Sequence, residues 1–459
     1  MEQIESAASA ISGFLWGVPM ITLLIGTHIF LTIRLHFPQR YIFKAIKLSV
    51  TPDKNTSGDI SPFGSVVTSL AATLGTGNII GVATAVALGG PGAVFWCWLT
   101  GVLGIATKYG EGLLAVKYRV MNVHGQMIGG PMYALERGLK MKWLGVLFCI
   151  FTAMAAFGIG NSIQANSIAQ ICSHTLGASP YWVGGTLSIL TAMVILFGIK
   201  TIAKVCSAFV PFMAIFYILG CTVILIMNSE VLWQSIVLIA KSAFSTKAVG
   251  GGFVGTTIIM TMRYGIARGL FSNESGMGSA PIISAAAQTR NPVRQALVTS
   301  TGTFWDTVVV CAITGLVIVS SIVAYHDIDY TQGAVLTYAA FDKIPYVGQY
   351  VLMISLITFS FSTILGWPYY GEKAVEYLGG DKLIIYYRIM WVIAVFMGSV
   401  LNLELVWNIA DSMNALMAIP NLISLLLLSG VLVSESRKYL WDNNIDGYDK
   451  TPIPKVKDI

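Results

Sequence analysis

The chain has 459 residues, of which 28 are Lys or Arg and 22 are Asp or Glu, so 11% are charged and the net charge is +6; an ordinary soluble domain carries about 25% charged residues. Apolar residues make up 55%, glycines number 46 and the mean hydropathy is +0.73. Such a composition excludes a soluble enzyme, a disordered chain and a disulfide scaffold, and it reads as an all-α polytopic membrane protein whose small residues let helices approach closely in lipid.

From the amino terminus, MEQIESAASAISG holds Glu2 and Glu5 and no basic run, so the first apolar stretch is expected to remain as a span and not to be cleaved as a signal. Runs near twenty apolar residues, the length that crosses about 30 Å of hydrocarbon, then recur eleven times. They lie near 14–34, 65–90, 92–118, 143–174, 182–200, 205–227, 252–283, 296–325, 347–371, 383–402 and 406–433. The stretch 231–247, with Trp233, Lys241 and Lys247, is too polar to cross and is expected to lie in the interface. The cysteines Cys97, Cys149, Cys172, Cys206, Cys221 and Cys311 stand singly in apolar runs and read as small core residues.

Charge alternates between the loops. Only Lys241, Lys247 and Lys343 fall on one side, and Lys108, Arg263 and Arg268 fall inside spans. Every other basic residue lies on the opposite side, from Arg34, Arg40, Lys44, Lys47 and Lys54 to Arg437, Lys438, Lys450, Lys455 and Lys457. The positive-inside rule then puts the amino terminus outside and the carboxyl terminus in the cytoplasm of a cell membrane, with a prokaryotic inner membrane the expected setting. The net positive charge is thereby a topology signal, and no nucleic-acid partner is expected.

Two spans look broken. The second contains Thr73-Leu74-Gly75-Thr76-Gly77-Asn78, and the seventh contains Gly265 and then Gly269-Leu270-Phe271-Ser272-Asn273-Glu274-Ser275-Gly276-Met277-Gly278. Glycine disfavours a helix interior by roughly 1 kcal/mol, and unwound backbone at mid-membrane survives only where protein or a polar cavity surrounds it. The breaks are five spans apart, so spans two to six and seven to eleven are expected to form a 5+5 inverted repeat with a site between the broken helices. The expected division is 1–62 for an extra span and cytoplasmic loop, 63–228 and 252–433 for the two halves, 229–251 for an external interfacial segment and 434–459 for a cytoplasmic tail.

The sequence resembles the alanine or glycine:cation symporters, also called the sodium:alanine symporter family. The resemblance is carried by Gly75-Thr76-Gly77-Asn78, by Gly89-Gly90-Pro91-Gly92-Ala93-Val94-Phe95-Trp96-Cys97-Trp98 and by Gly265-Ile266-Ala267-Arg268-Gly269-Leu270-Phe271-Ser272-Asn273-Glu274. It extends to Ser362-Thr363-Ile364-Leu365-Gly366-Trp367 and Tyr369-Tyr370-Gly371-Glu372. It implies a LeuT-like core, preceded by one span, that couples a cation gradient to import of a small neutral amino acid. No cofactor is expected beyond sodium as the coupling ion, and no obligate protein partner.

An amino-acid zwitterion needs donors for its carboxylate and acceptors for its ammonium. Half-helix N-termini are expected to present free N–H groups around Thr76, Gly77 and Asn78 and around Ser272 and Asn273. Freed carbonyls, with the amide oxygens of Asn78 or Gln164, would hold the ammonium. Gln164 shares a helical face with Asn161 and is the better candidate of the two. Sodium takes hard oxygen ligands. The resemblance implies the carbonyls of Ala71 and Leu74 on one side and, on the other, the Phe359 carbonyl with the hydroxyls of Ser362 and Thr363, which share one helix face. Trp367 would close the pocket, with Phe271 opposite and Pro368 ending or kinking the helix. Of the charges inside spans, Lys108 and Glu111 are expected to pair with each other. Glu274 is a candidate gate partner, proton-sensitive group or acceptor of the freed N–H groups, the last being preferred, and Arg263, Arg268, Asp306 and Asp411 are candidates for gating ion pairs. No H-E-x-x-H, phosphate-binding lysine loop or hydrolase motif appears, which argues against an enzyme. A channel or a sensor is the rival reading, and within the carrier reading the rivals are glutamine or serine as substrate and the proton as coupling ion.

Overall fold

The computed structural model describes residues 2–53, 56–245, 258–329, 333–401 and 404–456. The start of the stretch expected at 252–283, the end of the one at 231–247 with Lys247, and the basic residues Lys54 and Lys457 lie outside the described residues.

Each apolar stretch falls on helix. In order they are Val18–Arg34, which follows the helix Glu2–Leu15; the pair Pro62–Thr73 and Val82–Gly89; Ala93–Lys117; and Lys142–Phe157 continuing into Ile163–Leu176. Pro180–Ile195, Ile199–Met227 and Ile258–Asn273 follow, and then Pro292–Thr303 continuing into Ala312–Ala324. Gly348–Gly379, Lys382–Val400 and Glu404–Leu427 complete the series. Among the described residues seven helices are long and apolar enough to cross a membrane, eight with the bent pair counted as one. Of the remainder, Ala93–Lys117 carries Lys108 and Glu111 within it, Pro180–Ile195 has 16 residues, and Ile258–Asn273 has 16 among the described residues. Leu232–Phe244 forms the helix expected in the interface, while the helix Gly333–Asp342 between the eighth and ninth spans has no counterpart in the sequence reading.

The second span bends by 56° at its break. The fourth and eighth spans stay continuous but widen, over Gly158–Ser162 and Phe304–Cys311, into π-helical turns. Such turns rotate the side chains that follow and often mark functional sites. Around the bent pair pack the sixth, ninth and seventh spans, and the third span lies between the seventh and eighth. Glu2–Leu15 lies along the eleventh span.

Pro368 does not end its helix, which runs unbroken from Gly348 to Gly379. Proline removes the hydrogen bond to the carbonyl four residues back, here that of Ile364. The Trp391 indole N–H fills the place, donating to Ile364 O at 3.2 Å.

On the face that carries the carboxyl-terminal tail, the loop before the second span zips to the segment after the seventh. Asp59 N and Ile60 N donate to Ala286 O at 2.7 and 3.2 Å, and Gln288 N donates to Ile60 O at 2.8 Å. Arg119 crosses the seam, donating to the carbonyls of Ala285, Ala287 and Ser57. Asp53 binds both Arg290 and Arg294.

Candidate functional site: two broken helices and an oxygen cluster

The first break begins where Leu74 turns extended, with ψ of 95°. Its amide side chains close on the freed backbone: Gly75 N donates to Asn78 Oδ1 at 2.9 Å, and Thr76 N to Gln164 Oε1 at 3.3 Å. Gln164 Nε2 returns a bond to Thr76 Oγ1 at 3.2 Å and another to Ile159 O at 3.0 Å. Both amide oxygens expected to face an ammonium therefore already accept from the helix end itself. Gly75 permits this close approach, because a Cβ would lie 2.6 Å from Thr363 Oγ1 and 3.2 Å from Gln164 Oε1. Gly77 lies against Phe271, whose ring edge would be 3.2 Å from a Cβ. Asn161 points elsewhere, donating to Trp391 O at 2.9 Å.

Two helices bring five oxygens together beside Gly75. Ser362 Oγ lies 3.1 Å from Ala71 O, 3.3 Å from Leu74 O and 2.7 Å from Phe359 O. Thr363 Oγ1 lies 3.2 Å from Leu74 O and 3.1 Å from Phe359 O. The end of a half-helix leaves Ala71 and Leu74 carbonyls without intrahelical partners, and the ninth span meets them with a hydroxyl face. Every atom in the cluster is a neutral hard oxygen, the donor type that suits a group-one or group-two cation. Among the described residues no group of three or more His, Cys, Asp or Glu could hold a metal.

Trp367, one turn further along, is fully buried. Its indole donates to Ala72 O at 3.2 Å, and its side chain occupies the space a Gly160 Cβ would take, only 2.2 Å from Trp367 Cγ. Gly366 allows the same approach, since a Cβ there would sit 2.7 Å from Ala72 N. Trp367 is thus a wedge between the second, fourth and ninth spans, not a lid facing Phe271. Phe271 borders a cavity of about 130 Å³ with Arg263, Arg268, Trp16 and Asp411 on the side away from the tail.

The second break corrects three expectations. Helix Ile258–Asn273 is continuous through Gly265 and Gly269, so Ser272 and Asn273 stand at a carboxyl-terminal end and offer carbonyls, not free N–H groups. Those glycines serve close packing: a Cβ at Gly269 would fall 2.2 Å from Thr100 Oγ1 and one at Gly265 2.4 Å from Ala93 O. The chain leaves the helix only at Glu274, with φ of 53°, followed by Gly276 and Gly278 in the left-handed region. Second, Lys108 and Glu111 do not pair with each other. Lys108 Nζ caps the helix end at Asn273 O, 2.9 Å away, while Glu111 Oε1 accepts from Gly276 N at 3.1 Å, Gly278 N at 3.0 Å and Asn421 Nδ2 at 2.7 Å. A cation at the negative end of a helix and an anion in a nest of N–H groups are each well placed. Third, the acceptor of the freed N–H groups is consequently Glu111; Glu274 accepts from the Ser279 hydroxyl.

Asp306 makes no ion pair among the described residues. Its carboxylate accepts from Asn78 Nδ2 at 2.7 Å, Ser272 Oγ at 2.9 Å and Thr307 Oγ1 at 2.6 Å, which ties the two breaks to the widened turn of the eighth span. Asn273 turns toward the third span, Nδ2 to Thr100 Oγ1 at 3.4 Å, and its Oδ1 accepts from Ser275 N. Arg263 and Arg268 lie over Tyr264 and Phe271, and neither reaches a carboxylate within 4 Å among the described residues. Asp411 Oδ1 is buried without a hydrogen-bond partner among the described residues.

Sequence reasoning missed Asp306, Thr307, Lys108, Glu111 and Asn421 as parts of one assembly. Their spacing along the chain carries no periodic signal. The only visible sign was that charged residues stood inside apolar spans.

A model of the sodium:alanine symporter family matches residues 1–451. The chain is 51% identical over 442 residues to a sodium/alanine symporter, AgcS, of Methanococcus maripaludis, covering 95% of this chain and 97% of that one. It is 36% identical to a probable sodium/glutamine symporter, GlnT, of Bacillus subtilis, covering 96% and 91%. Among solved structures it superposes on MhsT in complex with L-phenylalanine with a TM-score of 0.59, covering 84% of this chain and 95% of that one, at 14% identity. That likeness identifies the LeuT-like fold.

Proposed function

The chain belongs to the sodium:alanine symporter family and is a sodium-coupled amino-acid symporter of the membrane, not an enzyme; from that premise we propose that it imports a small neutral amino acid, alanine or glycine, by alternating access. The observation that carries the proposal is the five-oxygen cluster of Ala71, Leu74, Phe359, Ser362 and Thr363, beside the break whose Thr76 N–H faces Gln164. Sodium in that cluster draws the second and ninth spans together, so binding of the ion and the shape of the first break are one equilibrium. The amino acid's carboxylate meets Thr76, Gly77 and Asn78 at a half-helix N-terminus by displacing the Gln164 amide, which then turns to the ammonium. Phe271 against Gly77 leaves room for a short side chain.

In this reading spans two to six and seven to eleven are inverted halves that rock about the two breaks. The amino terminus is external and the tail cytoplasmic. The cavity beside Arg268 and Asp411 belongs to the outer path, and the seam of Asp59, Ile60, Ala286 and Arg119 seals the inner one. Loss of sodium loosens the hold of the ninth span on the Ala71–Leu74 end, and the half-helix Pro62–Thr73 can then swing from the seam.

A second reading, in which protons share the coupling, is favoured by one observation. Asp306 is a buried carboxylate held only by neutral groups, beside Asn78 and Ser272. Uptake of labelled alanine at fixed sodium and varied pH, with Asp306→Asn alongside, separates the two: sodium coupling alone predicts accumulation that follows the sodium gradient and is indifferent to a proton gradient. Competition by glycine, serine and glutamine sets the substrate range. Glutamine competing better than alanine would overturn the small-substrate assignment.

A further inference from the structure

On the tail face, apart from the two breaks and the oxygen cluster, lies a cavity of about 400 Å³. It is bounded by the end of the third span, the segment after the seventh, residues 56 and 57, and the tail from Tyr448 to Pro454. Its charged lining is Lys117, Arg119, Arg137 and Arg290 against the single acid Asp449.

The four cations are not equally compensated. Lys117 is paired with Glu435 at 2.7 Å and with Asp449 at 3.9 Å, and Arg290 with Asp53 at 2.6 Å and Asp446 at 3.6 Å. Arg119 and Arg137 have no carboxylate within ion-pair distance among the described residues. Arg119 bonds three backbone carbonyls, and Arg137 bonds two, those of Tyr118 at 2.7 Å and Arg119 at 3.0 Å. Each guanidinium has five donors, so both retain N–H groups beyond those bonds. Arg119 is 6% exposed, and burial pushes its guanidinium down to about 10. A desolvated cation with spare donors, beside a second one, gains most from a multivalent anion, and planar guanidinium forks match phosphate oxygens.

We propose that this cavity is a binding site for a phosphate-bearing anion, held by Arg119 and Arg137 with Lys117 and Arg290 at its rim. The anion has its wall in the tail, whose backbone joins the third-span end through Met121 N to Pro454 O and the seam segment through Asp449 N to Arg290 O. Occupancy therefore fastens the tail to the third-span end and to the segment that follows the seam at Arg290. The phosphate is either that of a soluble cytosolic compound or that of an anionic lipid headgroup.

The test uses the full chain in nanodiscs of pure phosphatidylcholine, titrated calorimetrically with potassium pyrophosphate at constant ionic strength. A parallel set replaces a quarter of the lipid with phosphatidylglycerol, without pyrophosphate, and reads the thermal midpoint. A soluble ligand predicts saturable pyrophosphate binding, weakened at least about tenfold in Arg137→Gln and in Lys117→Gln. A lipid source predicts no pyrophosphate binding but a higher midpoint with phosphatidylglycerol that Arg137→Gln abolishes. Asp449→Asn removes the repelling charge and keeps the geometry that bonds Thr451, so it should tighten whichever ligand binds by severalfold, a gain that misfolding cannot produce. Response in neither arm, binding unchanged by Arg137→Gln, or no gain in Asp449→Asn would overturn the proposal.

Discussion

Replacing Thr363 by Val removes one of five oxygens from the cluster while keeping the side chain's branched shape. Its hydroxyl lies 3.2 Å from Leu74 O and 3.1 Å from Phe359 O, so those two carbonyls stay in place and the vacancy is filled by a methyl group. A polar contact to a charged partner is worth about 1.5–3 kcal/mol net, and each 1.4 kcal/mol is about a factor of ten in affinity. Sodium affinity should therefore fall by roughly 10- to 150-fold. The assay is initial uptake of labelled alanine into proteoliposomes across a wide range of external sodium. Thr363→Val should raise the half-activating sodium concentration by at least about tenfold, with the maximal rate approached at high sodium, and Thr363→Ser should stay within about threefold of the parent. A half-activating concentration unchanged in Thr363→Val would refute the argument, because five oxygens around one ion cannot lose one without effect.

Three further outcomes follow from the packing of the breaks. Gln164→Ala should raise the alanine concentration for half-maximal uptake by about tenfold or more, since the ammonium loses an acceptor; an unchanged value removes Gln164 from the site. Gly160→Ala forces a methyl group to within 2.2 Å of Trp367, overpacking that costs about 1–3 kcal/mol, and the thermal midpoint of the detergent-purified protein should drop; an unaltered midpoint would mean Trp367 is free to move. Glu111→Ala leaves Gly276 N and Gly278 N without their acceptor, at about 1–3 kcal/mol for each buried donor, so amide hydrogen exchange over 274–280 should speed up markedly relative to the Pro62–Thr73 helix. Exchange at the parent rate would contradict the clamp.

The first break was legible in the sequence because its signals are local, whereas the pairing of Ala71 and Leu74 with a hydroxyl face of the ninth span came from the family resemblance. Glycine, asparagine and hydroxyl residues interrupt an apolar run at 73–78, and residues 359, 362 and 363 share one face of a helix whatever surrounds them. The second break was legible only as a region. Glycines at 265 and 269 and at 276 and 278 break a helix equally well on paper, and the third span decides between them. It packs on the first pair, through Ala93 and Thr100, and clamps the second with Lys108 and Glu111. The spacing of Lys108 and Glu111 suggested a pair because i, i+3 neighbours can meet, yet each had a partner 165 residues or more away with a backbone charge to satisfy. Asp306 was visible as a charge in a span, but its partners Asn78 and Ser272 lie on two other helices. Pro368 reads as a helix end or kink from its own chemistry, and it is the Trp391 indole on a neighbouring helix that takes up the carbonyl it frees.

The central claim is that a sodium gradient drives a neutral amino acid through the gap between the two breaks. It is tested most directly by labelled alanine in proteoliposomes with an inward sodium gradient, repeated with potassium in place of sodium at the same pH. The account predicts accumulation above equilibrium with sodium and none with potassium. Equal uptake under both conditions, never exceeding equilibrium, would contradict it.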